Sequence, residues 1–344
     1  MRFTRALLIS IVLCCIAVIA KAEEKRFLTT GISRTRALAM GSAYHSLVDD
    51  FSAGLYNPGA FKLNNTREER NFRFFFNPVG MCVAFYDYSK YNRDFARDDK
   101  LTATEGFLAA SLLLKGAVYT TPLFDVGFNL GEEIITKETG LIQNNRLFSI
   151  EEHNYGSFNS AFINIKIASS VSLGMTGTLY KLRANGETTY ENGFIFGVLL
   201  KPNPKLNVGI AYNEASEDFS KGRFMLESTD GKTVTSGISY YPDEKTVLSI
   251  DLRNLNKENK LASREIHTGV ERCFGERIAL RAGYFQDKNT QKNVYSFGIG
   301  ILPLWEKISK FANSSRNDTI SYTLILEENG EQYNWHVFSL LLRY

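Results

Sequence analysis

The chain of 344 residues is 44% apolar and 13% aromatic, with 25 Phe, 17 Tyr, 26 Gly and only 7 Pro. Its 40 Lys and Arg stand against 37 Asp and Glu, and three of the basic residues, Arg2, Arg5 and Lys21, fall in the first 22 positions. The rest is charge-balanced, with no basic block and no aromatics interleaved with Lys and Arg, which excludes nucleic acid as a partner; no run of 18 apolar residues follows position 22, which excludes a helical membrane protein.

At the amino terminus, Arg2 and Arg5 form a positive start and Ala6 to Ala20 an apolar run. Ala20-Lys21-Ala22 then supplies a small-x-small site. This reads as a secretory signal peptide over 1–22, cleaved near Ala22. The run is too short for a membrane helix, which needs about 20 residues. Residues 31–61 come next, rich in Gly and Ala and without alternation, with Asp49-Asp50 and a turn at Asn57-Pro58-Gly59.

From about residue 80 the chain falls into segments of roughly ten residues with alternating character, the pattern of transmembrane strands. Strands are expected near 80–89, 107–118, 124–132, 157–168, 171–181, 190–200, 204–213, 232–241, 244–254, 263–273, 276–286, 293–302, 319–327 and 335–344, fourteen in all. Ile163, Ile165 and Ile167 oppose Asn164 and Lys166. Leu248, Ile250 and Leu252 oppose Ser249, Asp251 and Arg253. Ile278, Leu280, Ala282 and Tyr284 oppose Arg277 and Arg281. Period-two patterning gives every strand an apolar and a polar face, yet a soluble sandwich and a membrane barrel share that pattern.

The connections favour the barrel. Short joints at 120–123, 169–170, 201–204, 241–243 and 275–276 alternate with mostly longer loops at 90–106, 133–156, 182–189, 214–231, 255–262, 287–292 and 328–334. Short turns at one end and long loops at the other are the asymmetry of outer-membrane barrels. An even strand count puts both chain ends on the short-turn side. One exception, 303–318, reads as a small amphipathic helix. The like-charged pairs Glu132-Glu133 and Glu151-Glu152 read as solvated loop charges.

The last segment, Trp335 to Tyr344, places Phe338, Leu340, Leu342 and Tyr344 on one side and Ser339 and Arg343 on the other. Lipid offers a backbone no water to bond, so a spanning sheet leaves no open edge. A terminal aromatic strand removes that edge by pairing with the first. Phe338 and Tyr344 are accordingly read as the assembly signal.

The run Arg36-Ala37-Leu38-Ala39-Met40-Gly41-Ser42-Ala43-Tyr44, then Asp49-Asp50-Phe51-Ser52-Ala53, then Tyr56-Asn57-Pro58-Gly59, resembles the opening of FadL-like long-chain fatty-acid transporters. The likeness is greatest to the branch that holds PorV-type barrels. Ser42 and Gly59 depart from the family's usual Gly and Ala, each a small-for-small exchange. Tyr240-Tyr241-Pro242-Asp243 and Arg281-Ala282-Gly283-Tyr284 also look familial. The resemblance implies an all-β fold, a transmembrane antiparallel β-barrel of about fourteen strands over 80–344 with an amino-terminal hatch, or plug, over 23–79 in its lumen.

It further implies an outer-membrane channel or transporter for hydrophobic small molecules such as long-chain fatty acids. The alternative is a non-transporting barrel that binds or delivers exported proteins at the cell surface. Arg36, Met40, Tyr44, Asp49, Asp50, Asn57 and Pro58 are the hatch or ligand candidates. Lys166, Asp251, Arg253, Arg277 and Arg281 are the candidate lumen charges, available to pair with Arg34, Arg36, Asp49 and Asp50. Expected partners are outer-membrane lipids, the hydrophobic ligand, the barrel assembly machinery and, on the alternative, an exported protein. No enzyme, cofactor or metal is expected. His45, His153, His267 and His336 have no metal spacing, and neither a nucleophile elbow nor a phosphate-binding loop occurs. Cys82 and Cys273, the two cysteines after the leader, are too few for a disulfide framework.

Overall fold

The structure is a computed structural model. It describes residues 25–29, 32–48, 51–61, 71–79, 113–133, 155–184, 187–214, 232–256, 264–275, 277–287, 292–301, 320–329 and 331–343. The expected leader, the strand at 80–89, the helix at 303–318, Asp49, Asp50 and Tyr344 lie outside the described residues.

One sheet carries the wall. Its strands are β1 (Lys25–Thr29), β2 (Asn71–Phe76), β3 (Leu114–Thr120), β4 (Phe124–Glu133), β5 (Tyr155–Ala168), β6 (Val171–Ala184), β7 (Glu187–Asn203) and β8 (Leu206–Glu214). They continue with β9 (Lys232–Asp243), β10 (Thr246–Arg253), β11 (Glu265–Phe274), β12 (Ile278–Asp287), β13 (Lys292–Ile301), β14 (Ile320–Asn329), β15 (Glu331–Leu340) and β16 (Leu342–Arg343). From β2 to β15 each strand pairs with the next, and β16 is β15 resumed after Leu341. Among the described residues the wall therefore has fourteen antiparallel strands, the expected number. β16 pairs in turn with β2, Leu342 opposite Phe76 and Arg343 opposite Phe75, so the last strand meets the first.

Burial decides between sandwich and membrane barrel. On β10, Leu248, Ile250 and Leu252 are exposed, Ile250 by 51%, whereas Val247, Ser249, Asp251 and Arg253 are buried, Asp251 completely. On β5, Ile163 and Ile165 are exposed and Asn164 is buried. The apolar face thus points outward and the polar face inward. In water each outward side chain would forfeit about 1.5–3 kcal/mol of burial; facing hydrocarbon it forfeits none of it. The barrel is of the transmembrane kind.

The short joints are as expected. At the β3–β4 turn the Thr121 hydroxyl accepts from Phe124 N at 2.9 Å and donates to Phe124 O at 2.7 Å. Gly275 takes φ +63° in the β11–β12 turn, where a side chain would be strained.

Two boundaries need correction. The segment 23–79 is not all plug: β1 and β2 both belong to the sheet. β2 escapes the alternation test because phenylalanine stands on both its faces, although buried Arg73 shares the inner one with Phe75. Phe72 and Phe74 are exposed, while buried Phe75 stacks on Phe51 at 4.4 Å. β1 is short and runs parallel to β15, Lys25 beside Tyr333 and Thr29 beside Val337. Tyr333 lies next to the tight β14–β15 hairpin at the loop end, where Asn329 faces Glu331. Lys25 therefore sits at the loop end, not at the short-turn end expected for both ends of the chain.

Candidate functional site

The described residues between β1 and β2 lie inside the wall. Residues 32–48 and 51–61 are buried save for Leu55, and carry only brief helices, α1 (Thr35–Ala39) and α2 (Ala53–Tyr56), with a 3-10 turn at Pro58–Ala60. Such short turns leave most backbone groups without a local partner, and buried ones must be met elsewhere. The wall meets them with side chains. Thr323 Oγ1 on β14 donates to Thr35 O at 3.0 Å, and Ser296 Oγ on β13 donates to Ala39 O and accepts from Gly41 N, both at 3.0 Å. Arg253 Nη2 on β10 donates to Ser42 O at 2.8 Å. Thr176 Oγ1 and Ser172 Oγ on β6 donate to Gly54 O at 2.6 Å and Gly59 O at 2.5 Å, and Asn164 Nδ2 on β5 donates to Pro58 O at 2.9 Å.

Glycines let the inner backbone come that close. A Cβ on Gly174 would strike the Pro58 carbonyl, on Gly197 the Asn57 amide, on Gly209 the His45 carbonyl, and on Gly283 the Met40–Gly41 peptide. All four contacts fall on three glycine pairs facing each other across neighbouring strands: Gly174 with Gly197, Gly209 with Gly237 and Gly269 with Gly283. A bare strip two strands wide is thereby left for the inner chain at each pair.

The candidate residues fall into place individually. Asn57 is fully buried; its Nδ2 donates to His45 O at 2.7 Å and Val198 O at 3.0 Å, while its Oδ1 accepts from Gly59 N at 2.9 Å. It ties two parts of the inner segment to β7, with Pro58 fixing the turn that follows. Met40 lies on Gly269. Tyr44 is buried beside Tyr56, ring centroids 5.3 Å apart, with the Arg36 guanidinium 5.6 Å from its ring. Asp251 Oδ2 accepts from Tyr44 N at 2.7 Å and His45 N at 3.1 Å, and contacts His45 Nδ1 at 2.7 Å.

The expected charge pairing is corrected in its partners. Arg36 pairs with Glu271 on β11, Nε to Oε2 at 2.8 Å and Nη2 to Oε1 at 3.0 Å, and Arg281 Nε reaches the same Oε2 at 2.6 Å. One buried carboxylate thus joins the inner segment to the wall between two guanidiniums. Lys166 is inward but holds the wall together, bonding Thr121 O at 2.8 Å and Asp125 Oδ1 at 3.2 Å. Arg277 is no lumen charge: it lies exposed in the β11–β12 turn, one residue short of Ile278 where the inward–outward register of β12 begins. Phe338 stands on β15 opposite Tyr322.

Sequence reasoning missed Glu132, which is no solvated loop charge. A register shift between Asn129 and Glu132, with Gly131 at φ +55°, turns it inward. There it is fully buried and accepts from Ser33 N at 2.9 Å and Ser33 Oγ at 2.7 Å. Arg34 lies 3.7 Å from it and 5.1 Å from the Phe158 ring centroid. An alternation broken beside a glycine was the only available sign. His267, also missed, contacts Gly41 O through Nδ1 at 2.6 Å.

The interior is not polar throughout. Ile32 and Leu38 pack with Phe285, Val294, Ile325, Trp335 and Val337 on the inner faces of β12–β15. Across from them Val48, Phe51 and Phe61 pack with Phe75, Val118, Phe162 and Leu199.

The chain is similar to the Pseudomonas putida toluene transporter TodX, at 11% identity over 94% of this chain and 98% of that one, with a TM-score of 0.45. It is also similar to a Rhodopseudomonas blastica porin variant, at 10% identity over 67% of this chain and 77% of that one, with a TM-score of 0.34. No protein-family model matches the chain, and no curated protein matches it.

Proposed function

We propose that the protein is exported, sits in the outer membrane of a diderm bacterium, and passes a hydrophobic small molecule of the long-chain fatty-acid class inward. The supporting observation is the apolar lining. A water-filled pore has a polar inner face, but here Phe285, Val294, Ile325, Trp335 and Val337 line one inner wall. An amphiphile entering at the loop end would lay its tail on that wall in place of Ile32 and Leu38, the inner-segment side chains that cover it. The inner segment serves as the hatch. Its bonds reach from β4 to β14, so a path that leaves it seated runs sideways into lipid. The candidate exit is the joint where β16 and β2 share two residue pairs among the described residues. Lipids cover the outward belt, and the assembly machinery reads the terminal strand. The exported-protein reading rests on loops 90–106, 133–156 and 214–231, almost all outside the described residues.

Uptake of labelled long-chain fatty acid is measured in cells with and without the protein, with heat-modifiable migration confirming an assembled barrel. Faster uptake with the protein is expected. Equal uptake with an assembled barrel sinks the transport reading.

A further inference from the structure

At the loop end, inward side chains from four neighbouring strands stand in one row. Glu132 on β4 faces Phe158 on β5, Phe158 faces Tyr180 on β6, and Tyr180 faces Glu191 on β7. Side chains opposed in this way have Cβ atoms about 4.5–5.5 Å apart, so each is within reach of the next. The row is therefore two aromatic rings between two carboxylates. The ring centroids are 5.6 Å apart, and Leu55 of α2 packs against the rings from the inner segment. Gly193 is the next inward position on β7. A Cβ there would come within 2.7 Å of the Tyr180 ring, so its bareness lets that ring reach across to the strand of Glu191.

One half of the row shows what such a pair holds. The Arg34 guanidinium lies 3.7 Å from Glu132 and 5.1 Å from the Phe158 centroid, so a carboxylate and the negative face of a ring hold one cation together. The other half repeats the pair in mirror order, Tyr180 with Glu191. Glu191 Oε2 is turned inward with no hydrogen-bond partner, and no basic side chain among the described residues stands to it as Arg34 stands to Glu132. Unlike the packed interior below, this half is open. Leu55, Tyr180 and Glu191 all keep part of their surface in solvent, and every other described residue of 32–48 and 51–61 is buried. β7 also overtops its neighbour, since its last pair with β8 is Phe194 with Glu214, three residues below Glu191. The flank of Glu191 away from Tyr180 thus has no strand beside it among the described residues.

We propose that Tyr180, Glu191 and Leu55 form a binding site at the mouth of the barrel for a small organic cation, an ammonium with a short apolar tail. Its head lies between the Glu191 carboxylate and the Tyr180 ring, as the Arg34 head lies between Glu132 and Phe158, and its tail rests on Leu55. Arg34 already offsets Glu132, so the charge left to the row is that of Glu191, which repels a free carboxylate head. The site is on other strands than the apolar wall of β12–β15 and stands whether or not that wall carries a fatty acid.

The full barrel in phosphatidylcholine nanodiscs is titrated with hexylammonium, hexanol and hexanoate, and binding is followed by ligand-observed NMR against protein-free nanodiscs. Hexylammonium is expected to bind about five- to tenfold more tightly than hexanol, and hexanoate no more than the lipid background. Glu191→Gln, in a barrel shown to be assembled by its heat-modifiable band, is expected to bring hexylammonium down to the affinity of hexanol. Glu214→Gln removes a rim carboxylate outside the row and is expected to leave hexylammonium binding unchanged. Equal binding of hexylammonium and hexanol to wild type overturns the site without any variant. Unchanged binding in Glu191→Gln overturns it as well, and equal losses in the two variants mean diffuse attraction to the rim in place of a site.

Discussion

Gly283 and Gly177 both interrupt strands, but they face opposite ways. A Cβ at Gly283 would land on the Met40–Gly41 backbone, which nothing flexible can relieve; a Cβ at Gly177 would meet only the Phe194 ring, at 3.8 Å. Gly283→Ala is expected to lose about 1–3 kcal/mol by overpacking. Gly177→Ala should stay within about 0.5 kcal/mol. The unfolding midpoint of the heat-modifiable band reports both, and equal midpoints would refute the inner docking. Neither role could be read from the sequence, since a glycine signals a close approach without saying to what. The lumen charges were half legible. Alternation put Asp251, Arg253 and Arg281 on the inner face, but Glu271, which holds Arg36, lies 235 positions away from it. Sequence spacing carries no information about that contact. Its loss would leave two buried guanidiniums without this carboxylate, the costly way to break such a group.

Strands whose two faces differ in chemistry were visible in the sequence. β10 shows this best, with three aliphatic residues outward and serine, aspartate and arginine inward. β2 was hidden because Phe75, which packs on Phe51, puts an aromatic ring on the inner face as well, beside Arg73. β1 was hidden because five residues, KRFLT, hold too few alternations to register. The terminal strand was expected to pair with the first; Leu342 and Arg343 pair with β2, and β15 above them has β1 as its neighbour. Directly opposed residues bring their Cβ atoms to about 4.5–5.5 Å, so the pair Phe76→Cys with Leu342→Cys is expected to form a disulfide across the closure. The oxidised protein should then resist the heat-induced shift in electrophoretic mobility that the reduced protein shows. Absence of the disulfide under oxidising conditions in an assembled barrel would mean that β16 and β2 do not meet.

At the scale of the molecule the chain is inverted relative to a water-soluble protein, with aliphatic side chains outside and an interior of polar, glycine-striped strands and two apolar clusters, filled by its own amino-terminal segment. The solvent for the outside is therefore lipid, and substitutions should be scored on that scale. Ile250→Lys, mid-strand on β10, is expected to cost about 2–4 kcal/mol in a bilayer. Unfolding from phospholipid vesicles measures the loss, and no loss there would contradict lipid exposure of that face.

The parallel run of β1 beside β15 bears on the order of events in assembly. The described chain starts at the loop end, against the strand that is made last, crosses the interior, and begins the wall at β2 near the turn end. It is thus enclosed by a wall that it must itself begin. That wall cannot complete the β16–β2 joint before the inner segment has entered, and the segment's first strand has no edge to pair with until β15 is in place. The two ends of the chain are consequently committed together, in one late step, and a barrel stalled before that step would stand open along a single side.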